Sequence, residues 1–140
     1  MNYRDILQLA SSLVVWNSGN PESRFRCAVG RTYFATYNCA VHVLSVVGFE
    51  VLKNSNGHHQ AYEELFNCNQ KEARRAARIL NDLRSDRNAA DYHLDDEKFS
   101  ESSTVKTVVE SGQDAISFLE KCLEEPVRSN LVKHFNQRNG

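Results

Sequence analysis

Apolar side chains recur every three or four residues along most of the chain, which is the spacing that lines one face of an α-helix. The first stretch of this kind covers about residues 2–16, and turn-prone residues follow it. Asn20 can then cap a second helix with Pro21 at its first position, and this helix should run to about Val47 and stop at Gly48. Because it is the longest and most apolar element, we expect it to lie at the centre of a bundle.

Three further helices are predicted along the rest of the chain. A short helix covers residues 58–66, and a fourth covers about 70–92, where Asn69 and Glu72 would form a capping box. An acidic, polar connection follows, and then a fifth helix up to about Glu125. No stretch alternates polar and apolar residues convincingly over the length of a strand. The pattern therefore predicts an all-α, up-and-down bundle of four to five helices with mostly short connections.

The length of 140 residues suits one domain with a sizeable core. We assign residues 1–125 to this domain and residues 126–140, which begin at the helix-breaking Pro126, to a short C-terminal helical tail. The N-terminus has no basic region followed by a long apolar run, and no stretch approaches the length of a membrane span. We therefore expect a cytoplasmic protein that does not contact a membrane.

Charge and cysteine usage narrow the possible functions. Seventeen Lys and Arg and eighteen Asp and Glu give a net charge of −1, so any nucleic-acid contact has to come from a local cluster. The four cysteines are irregularly spaced and form no CxxC pair, which argues against a zinc site. Cys27, Cys39 and Cys122 lie in apolar helical patterns, and we expect them to be buried free thiols. No metal or other cofactor is expected.

An arginine lies on the apolar face of the predicted fourth helix. Leu83, Ala90 and Leu94 define that face near its end, and Arg87 projects into the same arc. An unpaired guanidinium is very costly to bury, and Asp91 is one turn further on. Either Asp91 holds Arg87 in a structural ion pair, or Arg87 lines an interface or a cleft.

The opposite side of the same helix carries a cluster of four basic residues. This cluster is either a solvated face or a surface that steers RNA. Its members are Lys71, Arg74, Arg75 and Arg78.

The second helix is apolar around its circumference except for one polar seam. The seam either faces water or faces a partner or a site. Its members are Arg24, Arg31, Asn38 and His42.

Two adjacent histidines, His58 and His59, begin the third helix. The helix N-terminus favours the neutral imidazole, which can accept a proton or ligate a metal. Neighbouring residues do not share a helix face, so the pair is a weak metal site.

Two segments resemble the HEPN domain family. "GRTYFATYNCA", residues 30–40, is similar to its arginine–aromatic helix, and "LRSDRNAADYHL", residues 83–94, is similar to its "LRxxRxxADY" helix. The agreement in order and spacing extends over roughly residues 20–124. His58 or His59 fits the histidine that follows the first of these helices. The resemblance implies a helical bundle that commonly dimerises and that, in many members, is a metal-independent ribonuclease of toxin–antitoxin or anti-phage systems.

The resemblance also implies the site residues. The family's signature is an arginine, a polar residue directly after it, and a histidine after four to six intervening residues. Arg87, Asn88 and His93 satisfy it with five intervening residues, while Tyr92 stands at the commonest histidine spacing. Arg87 and His93 are therefore the implied catalytic pair, and Asn88, Asp91 and Tyr92 would support them.

An ideal helix separates Arg87 from His93 by about 120°. The two side chains can converge only if the helix unwinds near Tyr92 or if two chains meet. The family's homodimer offers the second route. Arg31, together with His58 or His59, is a further candidate for RNA contact or for holding the site.

Three functions stay open at this point. The first is a metal-independent endoribonuclease whose site lies at a homodimer interface, with RNA as substrate and a nucleotidyltransferase-like antitoxin as a further partner. The second is a non-catalytic HEPN module that binds nucleotide or RNA, or that partners such an antitoxin. The third is a plain helical dimerisation adaptor.

Overall fold

All regular structure in residues 2–139, the range that this computed structural model describes, is helical. The all-α prediction is confirmed, with six α-helices rather than four or five in that range because the C-terminal tail forms a full helix. The elements are α1 (Tyr3–Val15), α2 (Pro21–Val47), α3 (Gly57–Phe66), α4 (Lys71–Tyr92), α5 (Ser102–Lys121) and α6 (Val127–Asn139), with a 3-10 helix at Glu97–Ser100 between α4 and α5.

Helix α2 has the boundaries that its sequence predicts. The Asn20 side chain accepts a hydrogen bond of 3.1 Å from the backbone N–H of Ser23, and Pro21 occupies the first turn. At the other end Gly48 adopts a φ of +110°, a left-handed conformation that side chains with a Cβ rarely adopt. These local signals fix the two ends of the longest helix.

The core forms where the other helices pack around α2. Small residues permit close approach: a Cβ atom at Gly112 of α5 would collide with the Thr32 side chain of α2. Helix α6 joins this core through Leu131 and Phe135, both 1% exposed. The α2 side chains buried in this cluster are Ala35, Cys39, Ala40, Val43, Leu44 and Val47.

A second, smaller apolar cluster lies at the end of the molecule where α2 begins and α4 ends. Phe99 of the 3-10 helix is fully buried in it, although it comes from the acidic connection. Leu83 and Ala90 of α4 pack against Phe25 and Val29 of α2 in the same cluster. The functional candidates of α4 therefore lie beside a packed core.

Three local predictions were wrong. Asn69 adopts a left-handed φ of +65°, and Gln70 is the N-cap of α4 without a side-chain hydrogen bond, so no capping box forms. Leu94 lies beyond the end of α4 and is 73% exposed, so it is not part of the apolar face. Cys27 is exposed, whereas Cys68 is buried.

Cys39 and Cys122 are buried free thiols as predicted. Burial raises the pKa of each thiol to about 12, which keeps both protonated at neutral pH. In the part of the chain described here, no helix has the length and apolarity needed to cross a membrane.

A buried arginine closes the C-terminal end of α4. Arg26 of α2 is 8% exposed, and its Nη2 lies 3.1 Å from a carboxylate oxygen of Glu22. The last carbonyls of a helix lack hydrogen-bond partners within the helix and carry partial negative charge. A guanidinium donates hydrogen bonds to these carbonyls, and its positive charge interacts favourably with their partial negative charge. The guanidinium donates to the carbonyl oxygens of Ala89, Ala90, His93, Leu94 and Asp96, at 2.6–3.3 Å.

We predict that Arg26→Met lowers the free energy of unfolding by about 3 kcal/mol, because it leaves Glu22 and several half-buried carbonyls without partners. Arg31→Met on the exposed side of the same helix should change it by less than about 0.5 kcal/mol. Urea unfolding of both variants measures the difference. Equal stability of the two variants would contradict the role assigned to Arg26.

Candidate functional site

Arg87 lies at the rim of the core, one turn before the end of α4. Its Nε lies 3.0 Å from Asp91 Oδ2 in an ion pair, and its Nη1 donates to Asn88 Oδ1 at 3.3 Å. Its guanidinium carbon lies 5.9 Å from the ring centroid of Tyr92. With 37% of the side chain exposed, Arg87 is oriented by three neighbours and still open to a ligand. The predicted i,i+4 pair therefore forms, at the edge of the molecule.

Arg87 and Asp91 line a groove of about 580 Å³ between α1, α2 and α4. The same groove is lined by Arg31, whose guanidinium lies 5.0 Å from the ring centroid of Phe34. The groove thus combines two arginines with an apolar surface. Its large apolar side chains are Leu9, Leu13, Trp16, Tyr33 and Phe34, of which Leu9, Trp16 and Phe34 are each more than 40% exposed.

The predicted polar seam of α2 divides into three parts. Arg24 is half-buried, and its Nη1 donates to the Leu13 carbonyl at 3.0 Å. Arg31 is exposed beside Arg87, on the groove just described. Asn38 and His42 line a separate groove near the start of α1. Arg31 is therefore the seam residue that shares a surface with Arg87.

His93 lies directly after the last residue of α4. Its φ of −118° and ψ of 72° are not helical, so the helix unwinds at the position where the sequence allowed it. Its carbonyl is held by Arg26 at 3.2 Å. Its imidazole is exposed, makes no hydrogen bond to the described residues, and does not line the groove of Arg87. Within residues 2–139 of a single chain, neither a hydrogen bond nor a shared groove connects the His93 imidazole to Arg87.

The two histidines of α3 have different environments. His59 is exposed, and its Nε2 lies 3.2 Å from Glu63. His58 is 6% exposed, and its Nδ1 lies 2.9 Å from the Tyr33 hydroxyl. The Nε2 of His58 is also buried and has no hydrogen-bond partner among the described residues. In this position His58 cannot touch an external RNA, and it instead holds Tyr33, whose ring lines the groove.

The charge state of His58 follows from its surroundings. Burial lowers its pKa to about 4, and the positive charge of Arg84 acts in the same direction. The rings of Tyr33 and Tyr37 pack against the imidazole at centroid distances of 5.6 and 6.4 Å. Burial also raises the pKa of both tyrosines, so the cluster is neutral at pH 7.

Sequence reasoning found the arginine and its acidic partner but missed the groove walls. Trp16, directly after the last residue of α1, and Phe34 of α2 lie in segments whose sequences look like ordinary apolar helices, and the packing of α1 on α2 leaves both side chains exposed. Within residues 2–139, no three His, Cys, Asp or Glu side chains converge to hold a metal ion. Comparisons of the chain with protein-family models, with curated proteins and with solved structures found no match.

The low pKa of His58 predicts a pH-dependent stability. The unfolded chain binds a proton on this histidine below about pH 6.5, whereas the folded chain does so only near pH 4. The stabilisation is therefore complete above pH 6.5 and is lost as the pH falls towards 4. Between pH 8 and pH 5 the loss is about 2 kcal/mol.

Urea unfolding of the wild type and of His58→Gln at both pH values checks this prediction. The variant is less stable at pH 8, but it should lose about 2 kcal/mol less than the wild type on acidification, because glutamine does not titrate. An identical pH dependence in the two proteins would show that His58 binds a proton as readily in the folded chain as in the unfolded chain.

Proposed function

We propose that this chain is a metal-independent endoribonuclease of the HEPN type, acting in the cytoplasm as a toxin or anti-phage effector. The observation that carries the proposal is the state of Arg87. Asp91 and Asn88 orient its guanidinium, yet it stays open to a groove with a second arginine and exposed aromatic rings. A phosphate can be bound there through two hydrogen bonds, while a base stacks nearby.

The proposed reaction uses groups that RNA and the side chains supply. The 2′-hydroxyl of RNA attacks the adjacent phosphate, and an imidazole such as that of His93 removes its proton. Arg87 stabilises the negative charge that develops on the phosphate oxygens. A protonated imidazole donates a proton to the leaving 5′-oxygen, and the products are a 2′,3′-cyclic phosphate and a 5′-hydroxyl end. Asn88 and Tyr92 would assist as a hydrogen-bond donor and as a stacking ring.

A second copy of the chain would complete this site. Arg87 and His93 of one chain do not share a groove, so a facing chain has to supply the missing partner. The exposed apolar side chains beside Arg87, which include Trp16 and Phe34, favour a protein interface over open solvent. An isologous homodimer brings the same patch together twice and so brings two copies of each group to one cleft. Asp91 would limit repulsion between the two arginines.

The alternative is a non-catalytic HEPN module that binds nucleotide or RNA, or that partners a nucleotidyltransferase-like antitoxin. Two observations favour it: Arg87 is already paired with Asp91, and the His93 imidazole contacts no group that would orient it. A plain dimerisation adaptor is the third possibility. In that case the apolar side chains of the groove would mediate association, and Arg87 would have no ligand. Measurements of association and of RNA cleavage separate these functions.

The first expectation is a homodimer at tens of micromolar by light scattering. Phe34→Glu should convert it to a monomer, because a carboxylate would be buried at the interface. Leu52→Glu is the matched control, since Leu52 is also about half exposed but lies in the loop between α2 and α3. A monomeric wild type, or equal association of the two variants, would refute the interface.

The second expectation concerns cleavage of single-stranded RNA in the presence of a chelator. His93→Ala should lower the rate by about 10²–10⁴-fold, the usual effect of removing a catalytic acid or base. Arg87→Ala should lower it at least as much, because the phosphate loses its charge-stabilising partner. Arg128→Ala, an exposed change on α6, should leave the rate unchanged.

Tyr92→Phe distinguishes the two residues, Tyr92 and His93, that could hold the histidine position of the signature. A large loss in Tyr92→Phe with full activity in His93→Ala would move the catalytic role to Tyr92. If purified protein freed of any antitoxin cleaves no RNA, or cleaves equally well without Arg87 and His93, the non-catalytic module replaces the ribonuclease.

A further inference from the structure

The outer face of α4 carries a continuous positive surface. Lys71, Arg75 and Arg78 lie within about 60° of one another around the helix axis, and all three are exposed. Lys121 at the end of α5 is exposed and approaches the same surface. We define these four residues as the basic face.

Two phenyl rings flank α4 and hold these cations in place. Phe118 of α5 lies 5.6 Å from the Arg75 guanidinium and 5.8 Å from the Lys121 ammonium. Phe66 of α3 lies 5.6 Å from the Arg78 guanidinium on the other side of the helix. Cation–π contacts favour these positions without neutralising the charge. The basic face therefore spans α4 and α5, and Phe66 of α3 flanks it.

The four cations of the basic face have no acidic partner among the described residues. Within residues 2–139, no carboxylate oxygen lies within 4.0 Å of any of its four cationic groups, and Asp82 marks its limit one turn beyond Arg78. Five other Lys and Arg side chains pair with an acid, and these are Arg4, Arg26, Arg87, Lys98 and Arg138. The basic face thus places four unneutralised positive charges together on a chain whose net charge is −1.

Helix polarity adds to this charge. Lys71 lies in the first turn of α4, where the helix dipole is positive and favours negative groups. Its placement there costs intrahelical electrostatic energy, which an external anion would relieve. Arg74 differs from its neighbours, because its Nε donates to the Phe66 carbonyl at 3.4 Å and fastens the end of α3.

We propose that the basic face binds the sugar–phosphate backbone of single-stranded RNA, independently of sequence. From Lys71 to Arg78 the surface extends about 10 Å along the helix, enough for successive phosphates of an extended strand. A row of exposed cations without a pocket suits a repeating polyanion that is read as charge alone. The inference rests on the proposed function in that this RNA is the substrate, with the basic face adding affinity away from the Arg87 groove.

The test measures binding of a labelled 20-nucleotide uridine RNA by anisotropy over a series of KCl concentrations. Every protein carries Arg87→Ala, so that cleavage does not interfere. The double variant Arg75→Gln/Arg78→Gln removes two charges from the basic face. Arg128→Gln/Lys133→Gln removes two exposed charges from α6 and is the matched control. Thermal unfolding verifies that both variants remain folded.

The basic-face variant should reduce the slope of log K against log salt by about 1.4, because each phosphate of a single strand that the protein no longer neutralises lowers the slope by about 0.7. The control should keep the parent slope, and a cytidine RNA should give the same result. An equal slope and affinity in both double variants would overturn the proposal. Absence of RNA binding at low salt would overturn it as well, as would a preference for polyglutamate that depends on the same arginines.

The outcomes also separate this inference from the ribonuclease proposal. If the RNA binds through the basic face and the wild type cleaves nothing, the inference stands and the ribonuclease fails. If the wild type cleaves RNA and the basic-face variant binds RNA like its control, the basic-face inference is wrong while the ribonuclease proposal stands.

Discussion

The Arg26 guanidinium, buried between α2 and the end of α4, is the contact on which the candidate site depends. It satisfies carbonyls that the helix leaves without partners, and Glu22 balances its charge. This interaction stops α4 at Tyr92 and joins it to the central helix. Because the helix ends there, Arg87 lies within α4, whereas His93 lies beyond its last residue and does not line the groove of Arg87. Arg26 therefore positions the candidate site, although it takes no part in the proposed chemistry.

The groove depends on the same arrangement. Three helices leave Trp16 and Phe34 open beside Arg87, and the alternative to water for such side chains is another apolar surface. His58 contributes from behind by holding Tyr33 in the wall through a neutral, buried imidazole. One chain thus supplies an oriented cation and apolar walls, which is the arrangement that the proposed dimer requires. The basic face on the far side of α4 adds charge without sharing these contacts.

The sequence predicts the parts of this structure that local chemistry determines. Asn20 and Gly48 end α2 where expected, since a cap and a left-handed glycine act within a few residues. The start of α4 is different, because Asn69 and Gln70 are both polar, and the pattern does not indicate which of them precedes the helix. Arg26 lies on the apolar side of α2, just as Arg87 lies on the apolar side of α4. The carbonyls that Arg26 contacts, however, lie more than 60 residues away along the chain, and the local spacing of apolar residues does not predict this contact. The groove is likewise a product of packing between helices.

The central claim is that Arg87 and His93 act together only when two chains meet. Mixing the inactive Arg87→Ala and His93→Ala proteins under conditions that exchange subunits tests it most directly. In a mixed dimer, the intact Arg87 of one chain faces the intact His93 of the other. We predict that RNA cleavage returns on mixing, although neither protein cleaves alone. If the mixture stays inactive after subunit exchange has been verified, while wild-type protein cleaves, the site belongs to a single chain and the claim is wrong.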